Sequence, residues 1–336
     1  MCYFLNKVIS IGGLLSSIII ILSSSSWFTA WMGLEVNMMT FMPLIVTSNK
    51  LSGEAAMKYF FTQVTGSMFL LMFIVLSIFY SAKGGFMMNS LLMSIIILAL
   101  LLKLGAVPVH FWLPALIEGL SWETTLILIT IQKIGPLSLL LMMNMSMKFM
   151  LVSSSLMSAV VGSISGLNQL LCRKLMSYSS IAHMGWLLMA LSINKMLLWV
   201  YFILYCSLTM MVISIFKFYQ TFHMSQMLMS YNSIIIVSFT FYLTLLSLGG
   251  LPPLMGFLPK WLLLKFMMLS NMFLPAIILV LSSVLTIYFY IRLTYTAFML
   301  ILLKSTMNNK INSMNFMMKY WILMPTIMLP SLLMML

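Results

Sequence analysis

From Ile11 to Leu336 the chain is apolar almost without relief, and its polar positions fall in short clusters that divide it into lengths suited to crossing a bilayer. A helix needs about 20 apolar residues to span the hydrocarbon core. On that measure the pattern predicts about eleven spans. They lie near Val8–Leu22, Trp27–Val46, Ala55–Tyr80, Met88–Leu113, Glu123–Met143, Lys148–Leu171, Leu175–Ile193, Met196–Phe222, Ser233–Met268, Pro275–Leu303, and from Lys319 onward. The first apolar run follows one lysine and carries no small-residue cleavage site, so it reads as a retained helix. Ser52-Gly53-Glu54 with Lys58 reads as a helix start with an ion pair one turn apart.

Two spans contain helix-breaking sequence: the fourth at Gly105 and Pro108, the ninth at Gly249, Gly250, Pro252 and Pro253. A broken helix exposes backbone N–H and C=O groups, which survive in a bilayer only against protein or water. The breaks are five spans apart, and five-helix units in tandem must run in opposite orientations. The expected fold is therefore an all-α polytopic membrane protein built from two five-helix inverted repeats, each with a discontinuous helix. Within a single membrane domain the first repeat would occupy 1–147, the second 148–304, and a C-terminal loop and helix 305–336. Two unrelated proline kinks facing lipid are the alternative.

Composition supports lipid as the solvent. Of 336 residues, 63% are hydrophobic and 6% charged, too few to cover a soluble fold. Seventeen Lys and Arg against four acidic residues, all Glu, give a net charge of +13 without the dense basic run that would bind nucleic acid. Alternating the loops between two sides gathers most lysines with the N-terminus, which places that end in the cytoplasm or an organelle's matrix. Three cysteines and three histidines lie far apart, so no metal, haem, iron–sulfur or disulfide spacing is present. The 39 methionines suggest an AT-rich organellar gene.

Charges inside spans need a reason, because one at the bilayer centre costs roughly 2.5 to 3.5 kcal/mol on insertion scales. Glu35 sits near the middle of the second span, Lys103 before the fourth-span break, Lys133 within the fifth, and Lys260 after the ninth-span break. Lysine suits proton transfer, since its charge responds readily to burial and to a neighbouring carboxylate. These four are the candidate proton path; a static ion pair fixing helix register is the competing reading. His110 and His183 are candidate relays, or packed residues with satisfied nitrogens. Asn37, Gln132 and Asn168 could line water or bond neighbouring helices. Arg292 fits snorkelling or a lipid phosphate contact.

Four stretches carry a resemblance. They are Trp31-Met32-Gly33-Leu34-Glu35-Val36-Asn37, Lys103-Leu104-Gly105-Ala106-Val107-Pro108-Val109-His110-Phe111-Trp112-Leu113-Pro114, the run from Arg173 to Trp186, and Gly249-Gly250-Leu251-Pro252-Pro253-Leu254-Met255-Gly256-Phe257-Leu258-Pro259-Lys260-Trp261. Over nearly the whole chain the sequence resembles the chain 2 family of animal mitochondrial NADH:ubiquinone oxidoreductase. The resemblance implies an antiporter-like subunit of respiratory complex I in the inner mitochondrial membrane, N-terminus on the matrix side, beside other membrane-arm subunits. Phospholipids, cardiolipin among them, are expected partners, and nucleic acid is not. It further implies that Glu35, Lys103, Lys133 and Lys260 match the family's proton-path residues. Electron transfer from NADH to ubiquinone would drive them, while FMN, iron–sulfur clusters, NADH and ubiquinone stay in other subunits and no cofactor or metal binds here. A stand-alone cation/proton antiporter is the alternative function.

Overall fold

The computed structural model describes residues 2–47, 49–81, 89–143, 148–224, 226 and 235–303. Every regular element among them is a helix, as a solvent unable to bond exposed backbone requires. In order they are α1 (Cys2–Leu22), α2 (Trp27–Ile45), α3 (Lys50–Ser81), α4 (Asn89–Leu104), α5 (Trp112–Ile117), α6 (Trp122–Ile129), α7 (Ile131–Met142), α8 (Lys148–Leu167), α9 (Cys172–Ile193), α10 (Lys195–Tyr219), α11 (Ile235–Gly249), α12 (Phe257–Leu269) and α13 (Phe273–Leu303). The first ten expected spans fall on these helices, and the one from Lys319 lies outside the described residues. Among the described residues, five stretches are long and apolar enough to cross a membrane by length and composition: Lys50–Phe79, Trp122–Met142, Lys148–Leu167, Lys195–Tyr219 and Phe273–Tyr295.

Three local features differ from the sequence reading. The fifth span is two helices that meet at Thr130 (φ −109, ψ −73), where Thr130 N and Oγ1 both donate to the Leu126 carbonyl, at 3.0 and 2.7 Å, and Lys133 N turns to Thr130 O at 3.3 Å. Helix α3 starts at Lys50, ahead of Ser52, whose hydroxyl instead ties down the preceding turn by accepting from Thr47 N at 3.1 Å. Glu54 and Lys58 stand exposed, and Lys7 pairs instead with Glu123.

The chain divides into two compact units, Met1–Ser158 and Ala159–Leu336. In the first, α1 and α2 close tightly. A Cβ at Gly13 would lie 2.5 Å from Thr40 Cγ2, and one at Gly33 would lie 2.7 Å from Ile21 Cγ1. Helix α3 packs on α4 and α5, and α7 on α4. One end of the unit gathers the start of α1, the α2–α3 turn and the α5–α6 turn, through Lys7 with Glu123 and Gly119 against the Leu51 carbonyl. That grouping is what alternating spans require.

In the second unit α9 forms the core and is buried on nearly every face. Its serines satisfy themselves within the helix: Ser177 Oγ donates to Lys174 O at 2.6 Å and Ser180 Oγ to Ser177 O at 2.7 Å. Gly162 of α8 lies against its backbone, where a Cβ would meet Ala182 N at 2.5 Å. At one end Cys172 N donates to Phe222 O at 2.9 Å, and the Arg173 guanidinium stacks 4.5 Å from the Phe222 ring.

Candidate functional site

Each unit contains one helix broken in the same way. Helix α4 ends with Gly105 at φ +69, Gly105 N bonding Leu102 O at 3.1 Å and Ala106 N bonding Leu101 O at 3.0 Å. Helix α11 ends with Gly250 at φ +87, Gly250 N bonding Ser247 O at 3.0 Å and Leu251 N bonding Leu246 O at 3.4 Å. Both pairs form a Schellman cap, which needs a left-handed residue and so selects glycine. The peptide bond Val107–Pro108 is cis. In each unit a side chain beyond the break then reaches back to a carbonyl before it: Trp112 Nε1 donates to Leu102 O at 3.1 Å, and Lys260 Nζ to Gly249 O at 2.6 Å. The Gly249 oxygen freed by the second break is thereby satisfied away from water, while Leu102 O, which already accepts from Gly105 N, gains a second donor.

All three sequence-marked lysines are buried, with Lys103, Lys133 and Lys260 only 7%, 2% and 5% exposed. Each lies within a turn of an interruption: Lys103 in the last turn of α4, Lys133 just after Thr130, and Lys260 in the first turn of α12. Lys103 gains from its place, since the partial negative charge of a helix C-terminus favours a cation. The N-terminal position of Lys260 lacks that benefit, and the Gly249 carbonyl supplies the negative end instead.

In the first unit Lys103 and Lys133 line one cavity of about 20 Å3, large enough for a single water molecule. Asn37, Tyr59, Gln63 and Gln132 complete its polar wall, and Leu34, Trp112 and Pro136 are among its apolar neighbours. Asn37 Nδ2 donates to Gln132 Oε1 at 2.8 Å, and the Tyr59 hydroxyl donates to the same oxygen at 3.4 Å. Gly66 makes room for the lysine stem, as a Cβ there would stand 3.1 Å from Lys103 Cγ and 3.3 Å from Cε. Glu35 is half-buried beside this wall on α2. It acts electrostatically on both Tyr59 and Lys103 without forming a salt bridge to the lysine.

In the second unit the Lys260 ammonium lies over the Trp186 ring, 5.6 Å from its centroid, in addition to its bond with Gly249. Gly250 bounds it closely, for a Cβ there would lie 2.9 Å from Nζ. His183, on α9 like Trp186, has Nδ1 3.0 Å from the Tyr201 hydroxyl and its ring 4.9 Å from that of Tyr205. His110, within the first break, faces Pro108 O at 3.4 Å and packs on Phe111.

The structure thus joins Lys103 with Lys133, with Glu35 in electrostatic range, and separately sets Lys260 at its own break. Tyr59 and Gln63, which line the cavity, and Gly66, which borders the Lys103 stem, are neighbours that the sequence reading missed. Their signal was an i, i+4, i+7 stripe of polar and small residues in an otherwise apolar span. Among the described residues no group of three or more His, Cys, Asp or Glu side chains could hold a metal ion.

Fold and site together define a polytopic helical membrane protein with discontinuous helices and buried lysines. Residues 24–286 match the family model described as NADH:quinone oxidoreductase/Mrp antiporter, TM. The NADH-ubiquinone oxidoreductase chain 2 of Anopheles gambiae is 41% identical over 305 residues, covering 88% of this chain and 89% of the relative. That of Mammuthus primigenius is 39% identical over 318 residues, covering 94% and 91%. A chain of respiratory complex I from Thermus thermophilus shares the fold at a TM-score of 0.82 with 22% identity, covering 95% of this chain and 76% of that one. A chain of the Mrp complex from Dietzia sp. matches at a TM-score of 0.73 with 14% identity, covering 84% and 58%. The chain belongs to the family of NADH-ubiquinone oxidoreductase chain 2, within the broader NADH:quinone oxidoreductase/Mrp antiporter family.

Proposed function

We propose that this chain is a core membrane subunit of the proton-pumping NADH:ubiquinone oxidoreductase, respiratory complex I, in the inner mitochondrial membrane, and that Glu35, Lys103, Lys133 and Lys260 carry its proton path. The observation that carries this reading is the single water-sized polar cavity shared by Lys103 and Lys133. Two ammonium groups facing so small a space repel each other, so the arrangement favours one proton shared between them. Moving charge on or off Glu35 changes the energy of a proton on Lys103, because little bulk water screens them. A proton then passes through the cavity to Lys133. Lys260 is a second station, where the Gly249 carbonyl and Trp186 face stabilise the ammonium. His183, bonded to Tyr201, is a relay candidate, as is His110 with its Nδ1 against Pro108 O.

Redox chemistry belongs to partner subunits: NADH, FMN, iron–sulfur clusters and ubiquinone bind there, and this chain binds no cofactor. Its neighbours are other membrane-arm subunits and phospholipids, with cardiolipin suited to the basic loop ends near Arg173 and Lys174. The N-terminus faces the matrix. The chain is organised as two inverted repeats, 1–147 and 148–304, followed by a C-terminal loop and helix, 305–336.

The Mrp-type fold match favours a second reading, a stand-alone cation/proton antiporter. Purified chain in liposomes separates them. A pump subunit shows no ion exchange alone and loses stability outside its complex, whereas robust cation/proton exchange by the isolated chain would refute the subunit reading.

A further inference from the structure

The wall between Lys103 and Lys133 has a defined polarity. Asn37 Nδ2 and the Tyr59 hydroxyl both donate to Gln132 Oε1, and with the amides turned this way each has its other half left over. The other half of each amide, Asn37 Oδ1 and Gln132 Nε2, is buried and has no hydrogen-bond partner among the described residues. Both residues line the cavity of about 20 Å3, and Asn37 is only 4% exposed. A buried acceptor and a buried donor left unmade are costly, and a cavity of this size with several polar partners is what an ordered water needs.

We infer that Asn37 and Gln132 form a binding site for one ordered water, and so act as positioning residues for proton passage between Lys103 and Lys133. The water accepts from Gln132 Nε2 and donates to Asn37 Oδ1. One lone pair and one hydrogen remain for the lysines. Lys103 as ammonium passes a proton to that lone pair, the water passes its other hydrogen to the neutral amine of Lys133, and the water is regenerated. One N–H and one O–H bond break, one of each forms, and the charge moves from Lys103 to Lys133. Neither amide titrates; they hold the bridge in register. This inference rests on the proposed proton path.

The test uses the assembled complex of a tractable relative carrying the equivalents of Gln132→Met and Asn37→Leu, which keep side-chain bulk and remove the donor and the acceptor. A high-resolution structure of the unsubstituted complex is expected to show one water within hydrogen-bonding distance of both amides, lost in each variant. Pumping per electron pair is expected to fall in both toward the level of Lys133→Ala. The inference is overturned if no water binds in the unsubstituted complex, if the variants retain it, or if they pump normally without it. Normal pumping in Gln132→Met alone sinks only this site; normal pumping in Lys133→Ala as well sinks the proton path itself. Should a variant fail to assemble, the unsubstituted structure still decides.

Discussion

Lys260 Nζ donates to the Gly249 carbonyl at 2.6 Å, so the lysine beyond the second break holds the end of the helix before it. One contact thus serves stability and placement together. It satisfies an oxygen freed by the break and fixes the ammonium over Trp186.

Gly250→Ala strains that arrangement twice. The left-handed backbone, φ +87, costs about 1–2 kcal/mol with a side chain. The added Cβ would also stand 2.9 Å from Lys260 Nζ and push it away. Thermal melting of the assembled complex is expected to drop, with weaker pumping in what remains assembled. Gly53→Ala is the control: nothing lies within 4 Å of a Cβ there, and removing a glycine from α3 stabilises by roughly 0.5–1 kcal/mol.

Gly66 tests the first-unit lysine in a graded way. Alanine requires the Lys103 stem to give by a few tenths of an ångström, since the new Cβ would be 3.1 Å from its Cγ. Valine adds two methyl groups in that space and forces the side chain out. Pumping at equal assembly is expected to be mildly reduced for Gly66→Ala and severely for Gly66→Val; equal activity in both would remove the role given to this glycine.

The sequence made the breaks legible but not everything around them. Glycine at 105 and 250 with prolines close behind has a specific backbone consequence, and both caps form where those residues stand. The interruption at Thr130 had no such marker at its own position: it is a backbone departure at φ −109, ψ −73, and Gly135 and Pro136 stand beyond it, inside α7. Sequence therefore tied Lys103 and Lys260 to breaks and left Lys133 mid-span, whereas the structure sets all three beside one. Asn37 and Gln132 were visible as polar residues in apolar spans, but their mutual bond depends on how α2 and α7 pack, which local pattern does not encode. The same holds for Tyr59 and for Lys7 with Glu123.

Trp112→Phe keeps an aromatic ring near Tyr59 while deleting the bond from Nε1 to Leu102 O. The expected loss is about 1 kcal/mol, because Gly105 N still donates to that carbonyl. A shift in melting temperature checks it, and a collapse of assembly would mean the indole does more than satisfy one oxygen.

The Lys7–Glu123 pair is expected to matter little. Its side chains are 39% and 41% exposed, and such pairs contribute about 0–1 kcal/mol, less at higher salt. A double-mutant cycle with Lys7→Met and Glu123→Gln measures that coupling directly; a value well above this range would mark the pair as part of a buried network.

The most direct test of the proton path is the number of protons pumped per NADH oxidised by an assembled complex carrying Lys133→Ala at the equivalent position. Lys133 is 2% exposed and lines the cavity with Lys103, so its loss removes the acceptor that the path requires. The expected result is a large fall in pumping with the complex intact. Pumping at the unsubstituted level in that intact complex would contradict a path through this lysine.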